Sequence, residues 1–237
     1  MKEIKRVTFK NGVDCYAFGS FDEIVDYVSE RKRLLVALNA EKILHITSRM
    51  REIISCNIGY SDGIGAVMAL KKHGCNDAVK IPGCELWLKI AEHLCKRGKT
   101  FYLVGGKQEV IEETVSKLRE DYHGIDIVGY RNGYIKTTQE KELLISDIVQ
   151  KKPDVVFVAM GSPKQELLME EMLERHPAIY QGLGGSFDVY TNHVKRAPQW
   201  WLKHNLEFLY RLIKQPTRII RQLQLLKFWF LVRMDKI

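Results

Sequence analysis

The chain lacks the long apolar runs that cross a lipid bilayer. A membrane-spanning helix needs about 18–20 consecutive apolar residues, whereas the longest apolar run near the carboxyl end covers only residues 228–232. The first thirty residues carry lysine, arginine, aspartate and glutamate throughout, so they contain no apolar signal-peptide core. We therefore expect a cytosolic protein unless another feature attaches it to a membrane.

The sequence is also poor in the features that hold metals and common cofactors. Five cysteines form an odd set without a CxxC pair, and the seven histidines show no ligand spacing. We expect reduced, mostly buried thiols rather than a disulfide framework or a metal centre. The chain contains no DxD tripeptide, no GxxxxGK[ST] and no GxGxxG after an apolar run. It therefore lacks the fingerprints of ATPases and dinucleotide enzymes, and we expect neither a metal nor a bound cofactor.

Charge is distributed unevenly along the chain. Ten basic and two acidic residues lie between positions 195 and 237, and this excess of eight equals the formal net charge of the whole protein, +8. Residues 1–194 are balanced, with 27 basic and 27 acidic side chains. A neutral body with a basic tail indicates an anionic partner, which could be a nucleic acid, a membrane surface or a phosphorylated ligand.

Apolar periodicity predicts an α/β fold. Residues 6–9 and 13–18 flank Asn11-Gly12, a strong hairpin signal. Strand-length apolar runs then alternate with amphipathic stretches, which predicts a Rossmann-like, mainly parallel sheet with helices on both faces. The predicted strands are 34–38, 101–104, 125–128, 155–160 and 179–183, and the predicted helices are 85–97, 109–120, 139–150 and 164–175. The 237 residues suffice for one well-cored domain, 1–199, and a basic helical appendage, 200–237.

Three of the predicted strands run into glycine turns. The turns are Gly105-Gly106-Lys107, Gly161-Ser162-Pro163-Lys164 and Gly184-Gly185-Ser186. Ligands of parallel sheets collect beyond the carboxyl ends of the strands, where backbone N–H groups and helix N-termini attract phosphate. Two of the turns also carry a lysine, so the set indicates an anionic or nucleotide ligand.

The tail combines cationic and aromatic residues. Arg211, Lys214, Arg218 and Arg221 follow helical spacing, which would align them on one side of a helix. The aromatic residues of this segment include Trp200, Trp201, Phe228 and Trp229. This pattern is typical of a helix that lies in a membrane interface. An ordinary helix pair with a solvated basic face is the alternative.

Six motifs in a fixed order resemble the WecG/TagA/CpsF glycosyltransferase family over nearly the whole chain. They are NAEK at 39–42, SDG at 61–63, LVGGK at 103–107, AMGSPKQE at 159–166, GGSFD at 184–188 and HVKRAP at 193–198. The tail segments LEFLYR at 206–211 and QPTRI at 215–219 match as well. The resemblance includes the branch that serves enterobacterial common antigen synthesis.

The resemblance implies an inverting glycosyl transfer at the cytoplasmic side of the inner membrane, by a peripheral enzyme. The donor would be UDP-N-acetylmannosaminuronic acid, and the acceptor would be undecaprenyl-diphosphate-linked N-acetylglucosamine. Such a reaction needs a base for the acceptor hydroxyl and positive charge for the departing UDP. Many glycosyltransferases supply that charge with a metal held by DxD, for which lysines, arginines and helix N-termini would substitute here.

The resemblance assigns the base to Asp62 and a sugar-binding role to Asn39. The family often has a threonine two residues before this asparagine, where this sequence has Ala37. Taken alone, Asp62-Gly63 before an apolar helix is typical of an ordinary cap or turn.

The remaining site residues divide between donor and acceptor. The resemblance and the glycine turns assign nine residues to binding of the donor. They are Gly105, Gly106, Lys107, Gly161, Ser162, Lys164, Gln165, Gly184 and Gly185. A solvated first helical turn is the alternative for residues 164–166. The resemblance assigns the tail arginines Arg211, Arg218 and Arg221 to binding of the acceptor diphosphate or of membrane lipid. Lys195 and Arg196 would meet phosphate or the uronate carboxylate, or would be simple surface charge.

Three other functions fit parts of the sequence. The first is transfer of the neutral sugar N-acetylmannosamine to the same acceptor, as in teichoic-acid synthesis. The second is a nucleic-acid-binding module that uses the basic tail, but no recognition motif is present and the body is neutral, so we expect no nucleic acid. The third is a nucleotide sensor or scaffold without catalysis.

Overall fold

A computed structural model of the chain describes residues 4–195, 197–198, 200–201, 207–214, 219–234 and 237. The strands are β1 (Arg6–Thr8), β2 (Asp14–Tyr16), β3 (Leu34–Leu38), β4 (Ile58–Ser61), β5 (Thr100–Gly105), β6 (Asp126–Arg131), β7 (Val155–Ala159) and β8 (Ile179–Gly182). The first six helices are α1 (Phe21–Ser29), α2 (Ala40–Leu44), α3 (Ser48–Ser55), α4 (Ile64–Lys72), α5 (Gly83–Cys95) and α6 (Gln108–Asp121). They are followed by α7 (Thr138–Lys151), α8 (Lys164–Arg175), α9 (Ser186–Tyr190), α10 (Glu207–Lys214) and α11 (Ile219–Arg233).

The strands form one sheet in the order β1-β2-β4-β3-β8-β7-β5-β6. Strands β2 to β8 are all parallel to one another, whereas β1 runs antiparallel to them, beside β2. The Asn11-Gly12 turn joins β1 and β2, with Gly12 in the left-handed region at φ +78°. The α/β class, the mainly parallel sheet and the amino-terminal hairpin predicted from the sequence are therefore confirmed.

Helices cover both faces of the sheet, as predicted. Alternate strand residues point to opposite faces, so Leu34 and Val36 of β3 pack on one face while Leu35 packs on the other. The first face, named the α8 face, carries α2, α3, α4, α7, α8 and α11. The second, named the α5 face, carries α1, α5, α6 and α9. Each face has its own apolar core.

The short strand β4 was missed in the sequence. Its residues Ile58–Ser61 are all buried, and it pairs in parallel with β3, with Leu38 opposite Ser61. Gly59 interrupts the apolar run because a Cβ at this position would stand 2.5 Å from the backbone oxygen of Asp14. Only glycine fits such a close approach of two backbones.

Part of the tail packs on the α8 face. Helix α11 contacts α2 and α4, where Phe228 is 1% exposed and Val232 is also buried. The interpretation of Phe228 as a membrane-interface aromatic is therefore wrong, because its ring fills the space above Gly65. Trp229 is 43% exposed. Within the described ranges, no helix combines the length and the apolarity needed to cross a bilayer.

Candidate functional site at the carboxyl edge of the sheet

The carboxyl ends of β3, β4, β5, β7 and β8 meet at one edge of the sheet because these strands are parallel. The helices that follow β3 and β7 lie on the α8 face, whereas those that follow β5 and β8 lie on the α5 face. Neighbouring strands whose helices leave to opposite faces open a crevice between them. Such crevices occur here at β5/β7, at β7/β8 and at β3/β8, so the candidate site lies at this edge.

Asp62 follows β4 directly and is half-buried at this edge. Its backbone N–H donates to Leu38 O at 3.0 Å, which extends the pairing of β3 and β4 by one residue. Its Oδ1 accepts a hydrogen bond from the backbone N–H of Gly83 at 2.6 Å. The carboxylate is therefore held in a defined orientation at the start of α5.

Asn39 follows the neighbouring strand β3 and lies beside Asp62-Gly63. A Cβ at Gly63 would stand 3.3 Å from Asn39 Cβ. The Asn39 side chain caps α2, since its Oδ1 accepts from the backbone N–H of Lys42 at 2.9 Å. Ala37 lies at the same corner, 3.9 Å from a Cβ at Gly83. Its methyl group offers no hydrogen bond where the family often has a threonine hydroxyl.

Two buried side chains beneath Asp62 were not identified from the sequence. Tyr60 is completely buried, and its hydroxyl accepts from Gln181 Nε2 at 3.4 Å. Burial and the nearby Asp62 carboxylate hold the pKa of Tyr60 well above its ordinary value, so the phenol stays neutral. A Cβ at Gly83 would stand 2.8 Å from this hydroxyl. Position 83 must therefore be glycine for its N–H to reach Asp62.

The turn after β5 brings two backbones into contact. Gly105 has φ +138°, and a Cβ there would lie 2.2 Å from Ala159 O of β7. The backbone N–H of Gly106 donates to the same oxygen at 3.2 Å. Lys107 immediately precedes α6 and is exposed at the edge, with Nζ 3.9 Å from Glu109.

The turns after β7 and β8 are joined by one side chain. Gln165 is 4% exposed, and its Oε1 accepts from the backbone N–H groups of Gly161 at 3.1 Å and of Gly184 at 2.9 Å. Both glycines have positive φ, +80° and +60°. These two N–H groups are thus used within the protein, whereas Ser162, Lys164 and Gly185 are exposed beside them.

A groove of about 280 Å³ adjoins the turn after β7. Its apolar lining includes Met160 and Leu168, and its basic lining includes Lys136, Lys141 and Lys164. Lys141 pairs with Glu171 at 2.6 Å. A larger hollow of about 550 Å³, beside Arg33 and Asn57, lies at the amino ends of β3 and β4. We assign the site to the carboxyl edge because backbone N–H groups and helix N-termini point there.

The basic residues assigned to the acceptor are only partly described. Lys195 is exposed after α9. Arg211 lies in α10 and Arg221 in α11, but their side chains, together with Arg196 and Arg218, lie outside the described part of the structure. Among the residues that are described, no three or more His, Cys, Asp or Glu side chains gather in a group that could hold a metal ion.

The site therefore brings Asp62 next to Asn39, and Gln165 next to Gly161 and Gly184, along one sheet edge. The sequence profile described as the glycosyl transferase WecG/TagA/CpsF family matches residues 9–237. This match covers every strand of the sheet except β1, and it includes the tail. The chain belongs to the WecG/TagA/CpsF family of glycosyl transferases.

Proposed function

We propose that the protein transfers N-acetylmannosaminuronic acid from its UDP-sugar to undecaprenyl-diphosphate-linked N-acetylglucosamine, with inversion at the anomeric carbon. Membership of a glycosyl transferase family requires a sugar donor and an acceptor. The observation that carries the proposal is the Asp62 carboxylate, which Gly83 holds beside Asn39 at the edge where the glycine turns also lie.

Asp62 is the general base in this proposal. It would take the proton from the acceptor hydroxyl as that oxygen attacks the anomeric carbon and the bond to UDP breaks. The hydrogen bond from Gly83 fixes the direction of the carboxylate. Asn39 would contact a sugar hydroxyl from the neighbouring strand end.

Positive charge at the other end of the site would stabilise the departing UDP. Lys164 begins α8 and Lys107 precedes α6, so each adds its ammonium to the positive end of a helix. Within the described ranges, no carboxylate pairs with Lys164. Gly185 and Ser162 are exposed turn residues near Lys164.

The tail would dock on the membrane and grip the acceptor. Large exposed apolar side chains in this segment are Trp200, Ile213, Leu226, Trp229, Phe230 and Met234. Together with an excess of eight positive charges from residue 195 onward, they fit an anionic membrane surface. Arg211, Arg218 and Arg221 would bind the acceptor diphosphate, assisted by Lys195 and Arg196. The enzyme would thus work peripherally on the cytoplasmic side of the inner membrane.

The experiment that tests the reaction is product analysis by mass spectrometry. The full chain is incubated with a lipid-linked N-acetylglucosamine acceptor and either UDP-N-acetylmannosaminuronic acid or UDP-N-acetylmannosamine. We expect the acceptor mass to rise by one uronic acid residue. An increase in acceptor mass only with the neutral donor would instead support the teichoic-acid-type transferase. No increase with either donor would overturn the proposal.

The tail's two tasks are separated by two acceptors. Replacing Arg211, Arg218 and Arg221 with alanine should lower transfer both to the lipid acceptor and to a short-chain, water-soluble one. If the variant is folded and transfers normally to the soluble acceptor, these arginines do not bind the diphosphate.

A further inference from the structure

The residues that join the turns after β7 and β8 form a chain of polar contacts, named the Gln165 clamp. It consists of Lys42, Gln165 and Glu166 with the backbone N–H groups of Gly161 and Gly184. Glu166 Oε1 accepts from Lys42 Nζ at 2.7 Å and from Gln165 Nε2 at 3.2 Å. Gln165 Oε1 in turn accepts from both glycines. The clamp therefore links α2, the helix that follows β3, to the turns after β7 and β8.

Because the clamp is buried, the loss of any of its hydrogen bonds should be costly in free energy. Glu166 is completely buried and Gln165 is 4% exposed, while the Lys42 side chain is 15% exposed. A buried N–H or carboxylate that loses its partner keeps the full cost of desolvation. Within the described residues, Glu166 Oε2 has no hydrogen-bond partner, so its charge is balanced chiefly by Lys42.

The chemistry of the groups allows only one orientation of the Gln165 amide. Two glycine N–H groups need an acceptor, and a carboxylate can only accept. The amide oxygen must therefore face Gly161 and Gly184, and its nitrogen must face Glu166. If Glu166 were an amide, this preference would weaken, because an amide can donate as well as accept.

We propose that Gln165 is a positioning residue: it holds the turns after β7 and β8 in the shape that binds the donor's UDP, and Glu166 with Lys42 fixes its orientation. This inference rests on the proposed function, since it assigns these turns to the donor. It also reassigns Gln165 from contact with the substrate to support of the groups that make that contact. The exposed neighbours Ser162, Lys164 and Gly185 are left to face the ligand.

An exchange of the two side chains tests the clamp. In Gln165→Glu the new carboxylate still faces the glycines but is repelled by Glu166, so we expect UDP affinity to fall by about tenfold or more. Glu166→Gln should have a smaller effect. In the double variant a carboxylate accepts from both glycines, while an amide donates to it and accepts from Lys42. Because Glu166 Oε1 accepts both bonds in the wild type, the amide at position 166 must turn so that its nitrogen faces the new carboxylate at position 165 and its oxygen faces Lys42. Most of the lost UDP affinity should then return.

The measurements are UDP binding by calorimetry and transfer kinetics for each folded variant, with Glu170→Gln as the control on the same helix. Glu170 pairs with Arg49 outside the clamp, so its variant should bind UDP normally. We expect the defect in Gln165→Glu to raise the KM for the donor while kcat at saturating donor changes little. A residue with a merely structural role would lower the melting temperature without this change in KM.

A second variant covers the case in which Gln165→Glu does not fold. Gln165→Met keeps the length of the side chain and removes its hydrogen bonds with Gly161, Gly184 and Glu166, so the amide protons of Gly161 and Gly184 should exchange faster with solvent. Normal UDP binding by Gln165→Met, or no rescue in the double variant, would overturn the clamp while leaving the transferase proposal intact. If the wild-type chain neither binds UDP nor transfers sugar, the proposed function fails and the clamp's donor role fails with it.

Discussion

The backbone N–H of Gly83 donates to Asp62 Oδ1 across 2.6 Å and so ties the end of β4 to the first residue of α5. Asparagine at position 62 could keep this bond, because its amide oxygen can accept from the same N–H. An amide cannot take a proton from a hydroxyl at neutral pH. Asp62→Asn therefore separates the geometry of this corner from its chemistry.

We expect Asp62→Asn to lower kcat by roughly 10²–10⁴-fold, the usual effect of removing a general base. UDP affinity should change little, since the loss falls on the transition state rather than on the bound ground state. Steady-state kinetics and calorimetry measure the two quantities. Asp126→Asn, at an exposed position on β6, is the matched control. A kcat near that of the wild type would return Asp62 to the role of a turn residue.

The transfer should proceed without an added divalent metal. The sequence has no DxD tripeptide, and lysines at the starts of α6 and α8 are available to neutralise the departing diphosphate. Rates in EDTA and in magnesium or manganese should therefore agree within about twofold. Complete loss of activity in EDTA that either metal restores would contradict this expectation.

Two adjacent aromatic residues of α11 should have opposite effects. Phe228 is buried against α4, so Phe228→Ala should lower the free energy of unfolding by about 3–5 kcal/mol. Trp229 is 43% exposed, so Trp229→Ala should lower that free energy much less than Phe228→Ala does and should weaken binding to anionic vesicles. Denaturant titration and liposome co-sedimentation provide the two readouts.

Salt dependence completes this test. Binding of the wild type to vesicles should weaken as salt rises, because exposed charges are screened over about 8 Å at physiological ionic strength. Salt-insensitive binding, or equal binding by Trp229→Ala and the wild type, would contradict the proposal that the tail binds the membrane surface.

Asp154 gives the fold a pH-dependent contribution to stability. Burial would raise the pKa of Asp154, but hydrogen bonds from Thr100 and the ammonium of Lys99 outweigh it and hold this pKa below its ordinary value. A lowered folded-state pKa stabilises the fold above the unfolded-state pKa of about 4, and the contribution is lost as pH falls through the folded-state value.

The expected result is a stability difference that depends on pH. Asp154→Asn should unfold about 1–2 kcal/mol more easily than the wild type at pH 7, a figure reduced for the partial exposure of the pair. The difference should shrink below about pH 4. A difference that is constant from pH 7 to pH 3 would show that the Asp154 carboxylate is not responsible.

The sequence predicted the sheet well where strands are continuous apolar runs. Strand β3 was predicted at its observed bounds, 34–38, and α8 at its observed bounds, 164–175. Strand β4 was missed because Gly59 breaks its apolar run, and the need for glycine there arises from Asp14, which is distant in the sequence. Local apolar periodicity cannot reveal such contacts between distant parts of the sequence.

The candidate site could be predicted only as a set of strand ends. Parallel neighbours bring Asn39 and Asp62 together, and the glycine turns mark the same edge. The roles of Gly83, Tyr60 and Gln165 could not be predicted, since each depends on hydrogen bonds between residues that are distant in the sequence. Phe228 was misinterpreted because an aromatic residue in a basic amphipathic segment is equally typical of a core face and of a membrane face.

The most direct test of the proposed glycosyl transfer is acceptor-dependent release of UDP by the full chain. UDP-N-acetylmannosaminuronic acid is supplied with and without undecaprenyl-diphosphate-linked N-acetylglucosamine, and free UDP is measured over time. We expect UDP to appear only with the lipid acceptor present, and we expect Asp62→Asn to slow its release by at least about a hundredfold. Release at the same rate without the acceptor, or no release with it, would contradict the account.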